Sequence, residues 1–146
     1  YDALSYTWGD HVPSQFRAIS CNGCTVSVTP SLFSALSRLR YPYQPRNLWV
    51  DAICINQQND EEKAVQIQHM LTIYMKARTV VGWLGPESSQ TKAAVYALRS
   101  HGAEGMEVSM SFLELSSEIY GGLVDLYSRP WFRRLWVQQE VFAARR

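Results

Sequence analysis

From Asn47 to Gln57 the chain reads Asn-Leu-Trp-Val-Asp-Ala-Ile-Cys-Ile-Asn-Gln, and every residue from Leu48 to Ile55 except Asp51 is apolar. The run is short, rich in Ile, Val and Trp, and bounded by Pro45 and by Asn56-Gln57-Gln58-Asn59. That pattern predicts a strand buried on both faces. Such a strand belongs in the middle of a sheet covered by helices, so this stretch constrains the chain to an α/β fold. Asp51 breaks the run. A carboxylate there is costly unless it is partnered or lies where the strand leaves the core. Ligand sites in open α/β sheets gather at the carboxyl ends of strands, so Asp51, with Asn56 and Gln57 after it, is the first candidate site. Capping of a neighbouring loop is the competing reading of Asp51.

The flanking chain supplies the other layers. Tyr1 to Tyr6 predicts a first strand that runs out at Thr7-Trp8-Gly9-Asp10. Phe16 to Ile19 and Thr25 to Val28 flank Asn22-Gly23, a strong two-residue hairpin signal, with Cys21 and Cys24 opposed across it. Thr29-Pro30 is an N-cap with proline at the first helical position, followed by a helical face of Leu32, Ala35, Leu36 and Leu39. Asn59 with Glu62 resembles a capping box. It opens a helix, Glu61 to Ala77, expected to dock through Ile67, Leu71 and Tyr74. Thr79 to Leu84 predicts a buried strand beside Leu48–Val50, the two being neighbouring central parallel strands. Leu48 and Val50 would point to one face and Trp49 to the other. Thr91 to Arg99 predicts a helix with Val95 and Leu98 as core contacts, His101 to Ser111 a loop, and Phe112 to Tyr127 a helix broken by Gly121-Gly122. Arg129-Pro130 is a turn before a last helix, Trp131 to Ala144. The order argues for a mainly parallel sheet covered by helices.

Composition excludes some classes. A net charge of +1 gives no global electrostatic reason to expect nucleic acid or an anionic membrane as a partner. Five acidic residues and no Lys or Arg lie between Ser100 and Tyr127, whereas Arg129 to Arg146 carries five Arg and one Glu. Most of these charges are expected to be solvated. No apolar window is long enough for a membrane span and no leader opens the chain. A soluble, cytoplasmic domain cut from a longer protein is expected, because the chain starts inside a strand and ends on a helical pattern. Three cysteines fit a reducing compartment better than a disulfide framework. Cys21-x-x-Cys24 lacks a second half-site, so a plain hairpin is expected and no metal site.

Glu140 is the second candidate. No cation stands at its helical neighbours, while Trp136 lies four residues before it and would present an aromatic wall on the same helix face. Desolvated carboxylates cluster at functional sites. The competing reading is a glutamate that reaches Arg129 or Arg133 and braces the helix. No Walker A, dinucleotide-binding, zinc-protease or nucleophile-elbow motif is present.

Four blocks carry a resemblance: Ala3-Leu4-Ser5-Tyr6-Thr7-Trp8-Gly9-Asp10, Leu48 to Gln57, Trp83-Leu84-Gly85, and Arg129-Pro130-Trp131-Phe132 through Trp136-Val137-Gln138-Gln139-Glu140. In order and spacing, over nearly the whole of residues 1–146, the chain resembles the fungal heterokaryon incompatibility (HET) domain. The resemblance implies a single domain of larger proteins that triggers programmed cell death when genetically different individuals fuse. Tyr1-Asp2-Ala3-Leu4-Ser5-Tyr6, Asp51, and Trp136 with Glu140 are also similar to marks of Toll/interleukin-receptor (TIR) domains. That second likeness implies a TIR-like, flavodoxin-like sheet with an N-terminal β-hairpin insertion. It implies NAD as a substrate, not a bound cofactor, with Glu140 catalytic and Ser5, Tyr6, Trp8, Asp10, Asp51, Asn56 and Trp136 lining the cleft. Val137 replaces a cysteine frequent in TIR domains, and the Asn22-Gly23 hairpin has no obvious TIR counterpart. The alternative expectation is a non-enzymatic module that self-associates and recruits partners. Expected partners are a second copy of the chain and sensor or regulatory domains, with neither nucleic acid nor membrane.

Overall fold

The structure is a computed structural model that describes residues 1–102 and 117–144. Its centre is a three-stranded parallel sheet made of β1 (Asp2–Tyr6), β4 (Leu48–Trp49) and β5 (Thr79–Trp83) in the order β4-β1-β5. Asp2 pairs with Leu48 on one side, and Asp2 to Tyr6 pair with Thr79 to Trp83 on the other. A separate antiparallel hairpin, β2 (Arg17–Cys21) and β3 (Cys24–Val28), precedes the helices. These are α1 (Pro30–Leu39), α2 (Asp51–Cys54), α3 (Asp60–Lys76), α4 (Ser89–Gly102), α5 (Ser117–Ser128) and α6 (Val137–Ala143), with 3-10 turns at Pro13–Gln15 and Pro130–Arg133. No helix among the described residues is long and apolar enough to cross a membrane.

The α/β architecture is as expected, but the central strand is a different one. β1, not Leu48–Val50, lies between the other two and is buried along its whole length. β4 is two residues long and sits at the sheet edge, because Val50 caps a one-turn helix over Asp51–Cys54. A continuous apolar run cannot by itself tell a strand from a buried helical turn. Here the Asp51 carboxylate accepts the Ala52 N–H at 2.7 Å and helps tip the chain into that turn. The face assignment stands: Leu48 and Val50 join Leu4, Tyr6, Val28, Leu32 and Ala35, while Trp49 packs on the opposite side with Ala3, Tyr74 and Ala77.

Local signals in the first half read through directly. Asn22 and Gly23 both have positive φ, 51° and 78°, as a type I′ turn requires, and Cys21 and Cys24 face each other as free thiols. Thr29 Oγ1 accepts the Leu32 N–H at 3.3 Å and Asn59 Oδ1 accepts the Glu62 N–H at 3.0 Å, so both caps form. Glu62 reaches back to the Asn56 N–H rather than to Asn59.

Helix α3 docks on a different face from the one expected. Tyr74 is buried and its hydroxyl donates to the Leu4 carbonyl at 3.1 Å, yet Ile67 and Leu71 are 44% and 40% exposed. Apolar residues occur all round this helix, so spacing alone does not select its buried side; Met70, Tyr74 and Ala77 do the packing. Among the described side chains of α4, Thr91 and Ala94 are buried, Val95 is half-buried and Leu98 is exposed. Gly121-Gly122 does not break α5. A Cβ on Gly122 would lie 2.2 Å from the Gln90 carbonyl oxygen, so this glycine lets α5 press against α4. Of the loop expected at His101 to Ser111, residues 101–102 end α4 and the remainder lies outside the described residues, as does the start of the helix expected from Phe112. The last helix is shorter than expected. Pro130–Arg133 forms a 3-10 turn, and α6 begins only at Val137 with Trp136 as its N-cap.

Candidate active site at the carboxyl end of the sheet

Parallel strands deliver all their carboxyl ends to one rim. From that rim come Ser5 and Tyr6 at the end of β1, Trp8 just beyond it, and Asp51 after β4. Ser5 lies opposite Gly82 in the sheet, and these two small residues leave space on the α6 side. Trp131 fills it: a Cβ on Gly82 would come within 3.2 Å of the Trp131 ring. The Trp131 indole N–H donates to Ser5 Oγ at 2.8 Å, and the Ser5 hydroxyl donates to Glu140 Oε2 in a short hydrogen bond. Arg134 then donates from both terminal nitrogens, to Oε2 at 3.3 Å and to Oε1 at 3.2 Å. Glu140 is 1% exposed, and each of its oxygens has a donor. Two-pronged pairing of this kind suits arginine and carboxylate geometry.

The sequence leads one to expect Trp136 and Glu140 on one face of a long helix. The helix is shorter, yet Trp136 at its N-cap keeps helical backbone and its carbonyl accepts the Glu140 N–H at 3.0 Å. The two therefore stand one turn apart, Trp136 at 41% exposure lining the cleft and Glu140 buried. The ion-pair partner is Arg134, six residues before Glu140, rather than Arg129 or Arg133. Arg129 instead ties Leu84, Pro86 and Asp125 together, and Arg133 is exposed.

Beside this network opens a cleft of about 350 Å³ lined by Trp8, Asp51, Ile55, Gln57, Lys63, Ile67, Met70, Arg134 and Trp136. Asp51 Oδ2 accepts the Trp8 indole N–H at 2.9 Å, and the Gln57 amide donates to the Asp51 carbonyl at 2.9 Å. Burial, joined by the Asp51 carboxylate, drives the Tyr6 phenol far above its ordinary pKa. Tyr74 is driven up by burial and by the charges of Glu140 and Asp51. Both phenols therefore stay neutral donors at any physiological pH.

Of the residues expected to form the cleft, Trp8, Asp51 and Trp136 line it. Ser5 and Tyr6 are buried just behind, Ser5 holding Glu140 and Tyr6 beside Asp51. Glu140 is also behind the cleft, not open to it, with Arg134 between. Asp10 and Asn56 are exposed and outside the lining, and Asn56 Oδ1 accepts the Gln58 N–H. Gln57, expected beside Asp51, lines the cleft, whereas sequence reasoning missed Arg134, Lys63 and the indole of Trp131. Only the arginine cluster Arg133-Arg134 hinted at a counter-charge for Glu140. Among the described residues no group of three or more His, Cys, Asp or Glu could hold a metal ion.

Comparison with known proteins gives the same direction as the motifs. The chain is 36% identical over 118 residues, 73% of its length, to heterokaryon incompatibility protein 6, OR allele, of Neurospora crassa. It spans only 17% of the length of that relative. No solved structure matches the chain. The family model described as heterokaryon incompatibility protein (HET) matches residues 1–140. The chain belongs to the heterokaryon incompatibility family.

Proposed function

We propose that this domain acts in heterokaryon incompatibility as a cell-death effector, and that its cleft cleaves NAD. Membership of the family and the similarity to heterokaryon incompatibility protein 6 of Neurospora crassa support the first part. One observation carries the second: a single cleft at the strand ends combines two indoles, a carboxylate and two cationic side chains. NAD has matching parts, namely two flat rings, a cationic pyridinium and a pyrophosphate. Indoles stack on rings and on cations, and Lys63 and Arg134 suit phosphate oxygens. In the reaction the C1′–N bond breaks and its electron pair neutralises the pyridinium nitrogen. Water oxygen forms the new bond to C1′ and releases a proton, giving nicotinamide and ADP-ribose. The transition state has oxocarbenium character, which a nearby carboxylate stabilises.

The proposed partners are a second copy of the chain and the sensor or regulatory parts of a longer protein, in the cytoplasm. Exposed Leu135, Val141 and Phe142, 76%, 54% and 85% accessible, favour a second reading in which the domain kills by self-association and recruitment without catalysis. Incubating the purified chain with NAD, both dispersed and assembled, and measuring nicotinamide separates the two. Nicotinamide release supports cleavage. Cell killing with no turnover in either state supports recruitment.

A further inference from the structure

Resting on the NAD-cleavage reading, we infer that Asp51 is the carboxylate that meets the reacting centre, and that Glu140 is a positioning residue acting through Arg134. The two acids are treated differently by the fold. Glu140 is 1% exposed, with Ser5 and both prongs of Arg134 on its oxygens. A carboxylate so occupied has no free face for a developing cation. Arg134 is the group between it and the cleft: its side chain is 21% accessible, against 2% for Glu140, and it lines the cavity. Asp51 also lines the cavity and forms no ion pair among the described residues. Its donors are the Trp8 indole, the Ala52 N–H and the Tyr6 phenol, which hold its orientation, and none of them carries a charge. Two poles therefore face the ligand. Asp51 serves the pyridinium and the oxocarbenium that follows it, and Arg134, aided by Lys63, serves the pyrophosphate. Ser5 and Trp131 complete the rear support that fixes Glu140 and, through it, the arginine.

The experiment measures NAD turnover together with ADP-ribose binding, read by tryptophan fluorescence because Trp8 and Trp136 line the cleft. ADP-ribose keeps the phosphates but lacks the pyridinium. Asp51→Asn should lower kcat about 10²-fold, the effect of losing one transition-state charge contact, and raise the NAD KM, with ADP-ribose affinity little changed because ADP-ribose lacks the pyridinium. Glu140→Gln should raise KM and the ADP-ribose Kd about tenfold while kcat is largely kept, the cost of a weakened charge-assisted contact. Arg134→Gln should reproduce that pattern, and the double variant should be no worse than either single one. A Glu140→Gln chain that binds ADP-ribose normally but has lost kcat, beside an Asp51→Asn chain that turns over normally, would overturn the assignment. Should Glu140→Gln fail to fold, the other two variants decide: Arg134→Gln with unchanged KM and Kd overturns it. A wild-type chain that neither binds ADP-ribose nor cleaves NAD overturns the NAD reading itself, a result distinct from turnover with the wrong variant pattern.

Discussion

Two adjacent glycines in α5 should respond with opposite signs to the same substitution. A Cβ on Gly122 would meet the Gln90 carbonyl oxygen at 2.2 Å and the Ala94 Cβ at 2.9 Å, both on α4. A Cβ on Gly121 meets nothing within 4 Å. Both positions gain about 1 kcal/mol of helix propensity when glycine becomes alanine. At Gly122 the gain is outweighed. Relieving the contact moves two helices apart by about 1 Å, and overpacking of that kind costs about 3 kcal/mol when the neighbour is backbone rather than a flexible side-chain end. The net expectation for Gly122→Ala is a loss of about 2 kcal/mol, or roughly 4–8 °C in Tm for a chain of this size. Gly121→Ala should gain up to about 1 kcal/mol. Urea unfolding of both variants followed by circular dichroism measures the pair on one scale. If Gly122→Ala is neutral or stabilising, α4 and α5 do not pack at the separation described, and the reasoning fails.

The other expectations concern the core and its rim. Leu71→Ala should change stability by less than about 0.5 kcal/mol because the side chain is 40% exposed, whereas Tyr74→Ala should cost about 3–5 kcal/mol; equal losses in denaturant titrations would reverse the docking face of α3. Tyr74→Phe removes the donor to the Leu4 carbonyl and should cost about 1 kcal/mol by the same titration. Burial raises the Asp2 carboxyl, but Arg78 and Arg46 outweigh it and hold the pKa below the ordinary value. A depressed folded-state pKa adds stability that is complete above the unfolded pKa and is lost as pH falls through the folded one. Wild-type stability should therefore fall below about pH 4, and Asp2→Asn should be less stable at pH 7 with a flatter acid limb. Gly23→Ala forces a side chain into φ +78° and should destabilise the hairpin by roughly 1 kcal/mol, seen as a lower urea midpoint.

Which parts of this molecule were legible depended on how local their cause is. The Asn22-Gly23 turn and the Thr29 and Asn59 caps are set within four residues, and they form as read. Strand-end geometry pointed to Asp51, the TIR likeness added Trp8 and Trp136, and the three lie along one cleft. The strand order was not legible, because Asp2–Tyr6 carries polar Asp2 and Ser5, whose partners Arg46, Arg78 and Glu140 are remote in sequence. Each looks like a break in an apolar strand until its counter-group is known. Arg134 escaped for a related reason. Helical spacing searches three and four residues away, and the pair closes over six, across the entry to α6. Gly121-Gly122 reads as a helix breaker by propensity, and only the neighbouring helix explains it as a place of close approach.

The hydrogen bonds that frame the cleft join Ser5 to Trp131 and Glu140 across 126 and 135 residues. Contacts of such separation are slow to form, because the entropy of closing a long loop must be overcome before they contribute. The hairpin and α1 need only neighbouring residues, so they can form while the chain is still being made. A nascent chain that has reached residue 102 has β1, β4 and β5 but neither Arg134 nor Glu140. Its strand-end rim lacks one wall. The cleft is thus a late event in folding, and any activity housed there stays silent through synthesis until both halves of the sequence have met.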